Sequence, residues 1–262
     1  MRALHTAATG MMAQELNVQV ISNNIANMRT TGYKRQRAEF QDLLYEHVSR
    51  IGTQTSTQGT ILPVGIDLGG GVKTVGTPRI MTQGTLSQTG ANLDLAIRGD
   101  GFFKILMPDG TYSYSRDGSF QMDAQGRIVT AQGNVVQPSI TIPQNATGLT
   151  INAQGQVSVT PQGTTTPTVL GQLTLTRFIN QAGLLSIGDN MYRETPASGT
   201  PQDGLANTDG MGDIQQGNLE MANVEAVSEI SDLIAAQRAY EMNSKVITAA
   251  DQMLSSTSNM MR

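Results

Sequence analysis

An α+β fold, with long helices at both ends of the chain paired as a coiled-coil-like unit and an all-β domain inserted between them, is predicted by three features. At the N-terminus, Leu4, Ala7, Met11, Gln14, Val18, Ile21, Ile25 and Met28 step by alternating threes and fours, laying a mostly apolar seam along one side of a helix. At the C-terminus, Leu233, Ala236, Tyr240, Asn243, Ile247, Ala250, Leu254, Thr257 and Met261 repeat the pattern. Almost everything between them reads as short strands and Gly-rich turns. An isolated helix is marginal in water, and two paired helices still leave apolar surface exposed. Lateral association with further copies is therefore expected, which points to an assembly protein rather than a catalyst.

The first helix is expected to end near Asn27, because Arg29-Thr30-Thr31-Gly32 supplies β-branched residues and then a Gly stop. A second, shorter helix is expected through Phe40, Leu43, Leu44 and Val48. From Gly52 to Gly76, Thr, Gln and Gly dominate around Pro63, which reads as an extended excursion or β-hairpin. Loops of this length without structure are uncommon unless functional. From about Thr77 the pattern alternates: Asp94-Leu95-Ala96-Ile97, Phe102-Phe103-Lys104-Ile105, Thr111-Tyr112-Ser113-Tyr114 and Arg127-Ile128-Val129 are separated by turn residues. Pro108-Asp109-Gly110 is a strong hairpin turn, and a looser signature recurs at Asp123-Ala124-Gln125-Gly126, Thr130-Ala131-Gln132-Gly133, Asn152-Ala153-Gln154-Gly155 and Thr160-Pro161-Gln162-Gly163. The last helix is expected to start near Asn223 as N-cap, with Glu225, Glu229 and Asp232 complementing its dipole. The resulting organisation is a discontinuous helical domain of 1–30 with 220–262, a connecting segment 31–76 of short helix plus excursion, a β domain over 77–195 and a return linker over 196–219.

Composition excludes several roles. Hydrophobic residues make up 38% of the 262, aromatics 4%, and Gly numbers 28, which suits turns and hydrogen-bonded subunit contacts more than a deep pocket. A net charge of −4 sets up no field that would recruit nucleic acid or anionic membrane. With no Cys there are no disulfides or thiolate sites, which suits passage between reducing and oxidising compartments. His5, Thr6, Thr9 and Gly10 interrupt any apolar signal-peptide run, so no cleaved signal is expected, and no stretch reaches the roughly 20 apolar residues of a membrane span.

Candidate chemical sites are weak. Gly69-Gly70-Gly71-Val72-Lys73-Thr74 invites a phosphate-loop reading but fails on spacing, because Val72 separates the last Gly from Lys73. The only two imidazoles, His5 and His47, lie in different segments, and Asp42 and Glu46 near His47 read as a solvated polar face. No catalytic signature is present, so neither an enzyme nor a cofactor is expected. Asn145-Ala146-Thr147 matches a glycosylation sequon that matters only in a glycosylating host. The basic cluster Arg29, Lys34, Arg35 and Arg37 is better read as a protein contact, with Glu220, Glu225, Glu229 and Asp232 as partners in the same chain or across a subunit boundary. Met11, Met12, Met28, Met253, Met260 and Met261 read as adaptable core. Asn23, Asn24, Asn27 and Asn243 are candidates to specify register, since amides on packed helices select partners through hydrogen bonds.

The run Ser22-Asn23-Asn24-Ile25-Ala26-Asn27, then Thr31-Gly32-Tyr33-Lys34-Arg35, resembles the N-terminal signature of bacterial flagellar axial proteins, the rod and hook family. Gly217-Asn218-Leu219-Glu220, Asn223-Val224 and Gln237-Arg238-Ala239-Tyr240-Glu241-Met242-Asn243 resemble its C-terminal signature. Gly101-Phe102-Phe103 and Tyr114-Ser115-Arg116-Asp117-Gly118-Ser119-Phe120 resemble its middle-domain motifs. Arg35-Gln36-Arg37-Ala38 through Asp42-Leu43-Leu44-Tyr45, with the excursion after it, is most similar to the distal-rod branch. The resemblance implies a homo-oligomeric helical tube with the paired helices on its inner layer and the β domain outside. It implies export through the flagellar type III apparatus and a place in the basal body, spanning the periplasm toward the outer membrane. The implied partners are proximal rod proteins, hook or hook-junction proteins and the surrounding ring proteins, with neither nucleic acid nor lipid insertion. A proximal rod or hook subunit is the alternative within the family; outside it, a secreted β-domain enzyme or adhesin. The expected self-assembly residues are Leu4, Met11, Val18, Ile21, Asn23, Asn24, Ile25, Asn27, Leu233, Tyr240, Asn243, Ile247 and Leu254. Because a rod must resist bending and a hook must bend, Thr53, Gln54, Thr57, Gln58 and Leu62 of the excursion are expected to supply a stiffening contact.

Overall fold

The computed structural model of the protein describes residues 2–49, 64–163 and 166–260. The chain divides into two compact units: Met1–Ile25, Gln36–Pro78 and Glu225–Arg262 form one, Ala26–Arg35 and Arg79–Val224 the other.

In the first unit, helices α1 (Arg2–Ala26) and α2 (Ala226–Met260) lie antiparallel. Asn24, near the end of α1, bonds Glu229 near the start of α2, and Gly10 on α1 faces Asn243 on α2. Ala7, Ala13, Val20, Ile21 and Asn24 are buried on α1, and Glu229, Ala236 and Ala250 on α2, so small side chains occupy much of the seam. Carrying the register along brings Arg2 level with Asp251. The turns of α2 over 252–260 then extend past α1, and every residue in them is exposed.

The expected short helix through Phe40, Leu43, Leu44 and Val48 does not form. Glu39–Asp42 pairs antiparallel with Val72–Gly76, and Tyr45–Ser49 with Ile66–Gly69. Leu43 N donating to Gly71 O (2.8 Å) joins the two ladders into one two-stranded ribbon, and Arg37 N donating to Pro78 O (3.1 Å) extends it beyond Glu39. The three-and-four spacing of the apolar residues fits a helix, but a complementary strand thirty residues on offers a full ladder of hydrogen bonds. Of the excursion, residues 64–76 are described, and their two strands pair with the segment expected as helix and not with each other. Thr53, Gln54, Thr57, Gln58 and Leu62 lie outside the described residues. The ribbon is fastened to α1 by Arg2 Nη2 on Glu46 Oε1 (2.6 Å), and Gly71 presses so closely on Thr9 that a Cβ there would sit 2.3 Å from its hydroxyl.

The second unit is built mainly of β-strands, with one 3-10 turn at Gln181–Gly183 among the described residues. Among the described residues its largest sheet runs Leu185–Gly188, Met191–Arg193, Tyr112–Ser115, Phe102–Leu106, Val135–Gln137, Ile128–Val129 and Gln121–Met122, with Thr174–Arg177 pairing both Phe102–Leu106 and Gln202–Leu205. Ala146–Ile151, Gln156–Pro161 and Thr168–Gln172 form a separate three-stranded meander. Period two sends neighbouring aromatics to opposite faces. Phe103 enters the main core with Leu95, Ile97, Ile128, Val157 and Leu175, where it meets Phe120 edge-on at 5.0 Å. Phe102 enters a second cluster with Tyr114, Phe178 and Tyr192. The stretch 196–219, expected as a return linker, contributes the strands Gln202–Leu205, Asp213–Gln216 and Asn218–Glu220. Asp213–Gln216 closes on Leu95–Arg98, and Asn218–Glu220 on Leu86–Gln88.

Four hairpins share one turn. Met107, Asp123, Thr130 and Asn152 each accept a bond from the Gly three residues on and donate to the carbonyl four residues on, as a type I turn followed by a left-handed residue requires. Gly110, Gly126, Gly133 and Gly155 supply that left-handed residue, with φ between +79° and +86°. Asp123 and Asn152 reinforce their turns by accepting two backbone N–H bonds apiece on one side-chain oxygen.

Candidate functional site

The helix pair carries most of the residues expected to drive assembly. Ile21 and Asn24 are buried; Leu4, Met11, Val18, Ile25, Leu233, Asn243 and Ile247 are half-buried. Tyr240 and Leu254 remain open, at 44% and 45% exposure, and Asn23 is exposed. The pair's own contact thus consumes the centre of the predicted seam and leaves its margins facing outward. Along one margin, Glu15, Val18, Gln19, Gln237, Tyr240 and Glu241 line an open groove of about 480 Å³. Val227, Ile230, Ile234, Met242, Val246 and Met253 add exposed apolar surface to α2.

Two asparagines hold the pair. Asn24 Nδ2 donates to Gln36 O (2.9 Å) and to Glu229 Oε2 (3.1 Å), while Asn24 Oδ1 accepts from Gln36 N (2.9 Å). Its amide therefore ties α1 both to α2 and to the strand leading into the ribbon. Asn243 lies against Gly10, where a Cβ would stand 2.9 Å from its Nδ2; only a residue without a side chain leaves room for the amide. Asn27, in the other unit, accepts from Thr30 N (3.0 Å) just after α1 ends. Asn223 is not the helix cap expected of it, since α2 begins at Ala226. Its Oδ1 instead accepts from Arg35 N (2.8 Å), and its Nδ2 donates to Ile80 O (2.8 Å) and Thr82 O (3.0 Å).

The expected basic cluster is dispersed. Arg37 pairs locally with Glu39, and Arg29 is exposed. Lys34 is wholly buried in the second unit and donates to Glu220 Oε1 (2.5 Å) and Thr82 O (2.9 Å). Glu220 Oε1 also accepts from Gly84 N (2.9 Å), and its Oε2 from Arg116 Nη1 (3.4 Å). Arg116 lies over the Phe102 ring at 5.2 Å, with its Nε unpartnered among the described residues. Three segments far apart in sequence meet here with no exposed side chain: residues 32–34, 114–118 and 218–220. Burial pushes the Lys34 ammonium below its ordinary value; Glu220 opposes that push and Arg116 adds to it. The sequence offers Glu220 as one partner of several and Arg116 only as a member of the middle-domain signature, with no role attached, because lone charges inside a β pattern carry no signal of burial.

Elsewhere, His47 Nδ1 lies 2.6 Å from Asp67 Oδ1 across the exposed ribbon, and His5 is exposed. The glycines Gly69–Gly71 join the ribbon's two ladders instead of opening a helix onto a phosphate. Among the described residues no group of three His, Cys, Asp or Glu is placed to hold a metal ion, and no helix is long and apolar enough to cross a membrane.

An antiparallel pair of helices drawn from both ends of one chain, with apolar residues left exposed along α2 and a β-rich unit inserted between them in sequence, suits a subunit that associates with further chains. Family models match in the same order along the chain: flagella basal body rod protein over residues 4–34, the flagellar hook protein FlgE/F/G D1 domain over 96–159, and the flagellar basal body rod FlgEFG protein C-terminal region over 215–260. A flagellar basal-body rod protein FlgG from Caulobacter vibrioides is 55% identical across 99% of both chains. Its namesakes from Borreliella burgdorferi and Bacillus subtilis are 48% and 37% identical, over 99% or more of each chain. The chain belongs to the flagellar rod and hook family, and within it is most like the distal rod protein FlgG.

Proposed function

We propose that this chain is a structural subunit of the flagellar distal rod, polymerising through its terminal helices into a rigid hollow shaft. The shaft transmits motor torque to the hook and leaves a channel for exported subunits. The observation that carries this reading is the full-length likeness to distal rod proteins in a chain whose helix pair keeps apolar margins outward. Burying such margins against neighbouring copies is favourable at about 25 cal/mol per Å² of apolar surface. Register is set by Asn24 and Asn243, amides that favour the one alignment satisfying them. Its place is the flagellar basal body, across the periplasm toward the outer membrane, reached through the type III apparatus. Its neighbours are proximal rod proteins, hook or hook-junction proteins and the rings around the rod. Its work is mechanical, not catalytic.

The ribbon supports the stiffening role. Leu44, Tyr45, Val48, Ile66, Leu68 and Val75 are all exposed on it, and a lone two-stranded ribbon is marginal in water, so a neighbouring subunit is the natural cover. Thr53, Gln54, Thr57, Gln58 and Leu62, which the sequence offers for the same role, fall between Ser49 and Ile66 along the chain.

Removing the residues before Asn27 or after Asn223 tests the reading. Either truncation is expected to abolish polymer while the β signal in circular dichroism persists. Normal rods from either one would overturn it.

A further inference from the structure

The buried trio of Lys34, Arg116 and Glu220 lies inside the second unit, at a place where backbone segments pack closely. Gly32 N donates to Glu220 O (2.7 Å), and a Cβ on Gly32, held at φ +68°, would lie 2.6 Å from Asp117 N. A Cβ on Gly84 would lie 1.9 Å from Met221 O, and one on Gly118 1.6 Å from Leu95 O. Backbones from residues 32, 84, 117 and 220 therefore touch around one carboxylate.

Charge is an odd choice for such a place. Replacing buried ion groups by apolar side chains of similar volume is commonly neutral or stabilising, whereas removing one partner is strongly destabilising. What a charged trio gives, and an apolar one would not, is dependence on every member. The trio holds two cations to one anion, and that anion stands on the unit's last strand. Without Glu220, Lys34 and Arg116 would be enclosed together, with the exposed Asp100 the remaining carboxylate that attracts Arg116.

We infer that Lys34, Arg116 and Glu220 form a clasp that makes closure of the β-rich unit conditional on docking of its final strand, Asn218–Glu220. The segments 32–34 and 114–118 stay apart until Glu220 arrives between them. A subunit whose last strand has not docked is thereby kept distinct from a finished one. Asn223, three residues on, then fastens the same junction through Arg35 N, Ile80 O and Thr82 O.

Hydrogen exchange on the full-length chain tests the clasp. Glu220→Gln preserves shape and an acceptor for Gly84 N but removes the charge. It is expected to speed exchange at the Gly32, Gly84 and Met221 amides about a hundredfold or more, while the meander strands Ala146–Ile151 and Gln156–Pro161 keep their protection. Placing Glu220→Gln in a chain that already carries Lys34→Met and Arg116→Met removes the need for a counter-charge, and the cost there should fall to roughly threefold or less. An equal cost in both backgrounds would overturn the inference, as would unchanged exchange in Glu220→Gln. Should Glu220→Gln fail to fold, folding of the triple variant would support the clasp, and failure of that variant too would overturn it.

Discussion

Lys34 shows how a single buried charge sets a pH response. Its ammonium is pushed below the ordinary 10.5 by burial, which outweighs the pull of Glu220. Between that lowered value and 10.5 the unfolded chain binds more protons than the folded one, so stability rises with pH across the window. Asp203 works in the opposite direction. Burial opposes its ionisation, but hydrogen bonds from Lys104 (2.6 Å) and Thr176 (2.5 Å) win, and its carboxyl titrates below 3.8. Its contribution is present above 3.8 and is lost as pH falls through the lowered value. Denaturant midpoints measured from neutral pH to about pH 10 should climb more steeply for the natural chain than for Lys34→Met. Identical slopes would show that Lys34 titrates alike in both states.

The helix pair depends on the fit of Asn243 into the gap at Gly10. Gly10→Val should cost about 1–3 kcal/mol by overpacking, measured by thermal unfolding of the helical signal, and Asn243→Ala in the same chain should return most of it. No recovery would mean that the strain of Gly10→Val arises elsewhere. Both helices were legible in the sequence, since Leu4, Ala7, Met11, Gln14, Val18, Ile21 and Ile25 on α1 and Leu233, Ala236, Tyr240, Asn243, Ile247, Ala250 and Leu254 on α2 keep the three-and-four spacing. The shared turns were legible as well, because Gly at the left-handed position, with Asp, Thr or Asn three residues before it in three of them and Pro108-Asp109 ahead of it in the fourth, acts within five residues. The ribbon was not. Phe40, Leu43, Leu44 and Val48 satisfy helical spacing, and what decides against it is a strand at Ile66–Gly76 that no local window contains. Asn223 misled for a related reason: its residue type suits a cap, but three backbone groups from distant segments claim its amide first.

As a polymer component, the molecule is read from likeness to its relatives together with surfaces that make sense only in company. The three signature segments were recognisable one by one in the sequence, but nothing there announced that Lys34, Arg116 and Glu220 share a single buried point; that convergence needs the topology. Stiffness is the property most open to test. Deleting Thr53 through Leu62 while keeping the Gly and Pro residues that redirect the chain should yield exported subunits whose polymer curves like a hook, seen by electron microscopy. Any one hydrogen bond from this segment to a neighbour would be modest, about 1 kcal/mol net, but would recur at every subunit of the polymer. Straight rods of unchanged rigidity would remove the loop from the account. The unequal lengths of the two helices have their own outcome. Among the described residues no turn of α1 lies opposite α2 past Asp251, and an unsupported helical end frays. Free subunits should therefore carry a partly melted tip that freezes only on incorporation, so each addition to the shaft is also a small act of folding, and the growing end is chemically unlike the finished wall behind it.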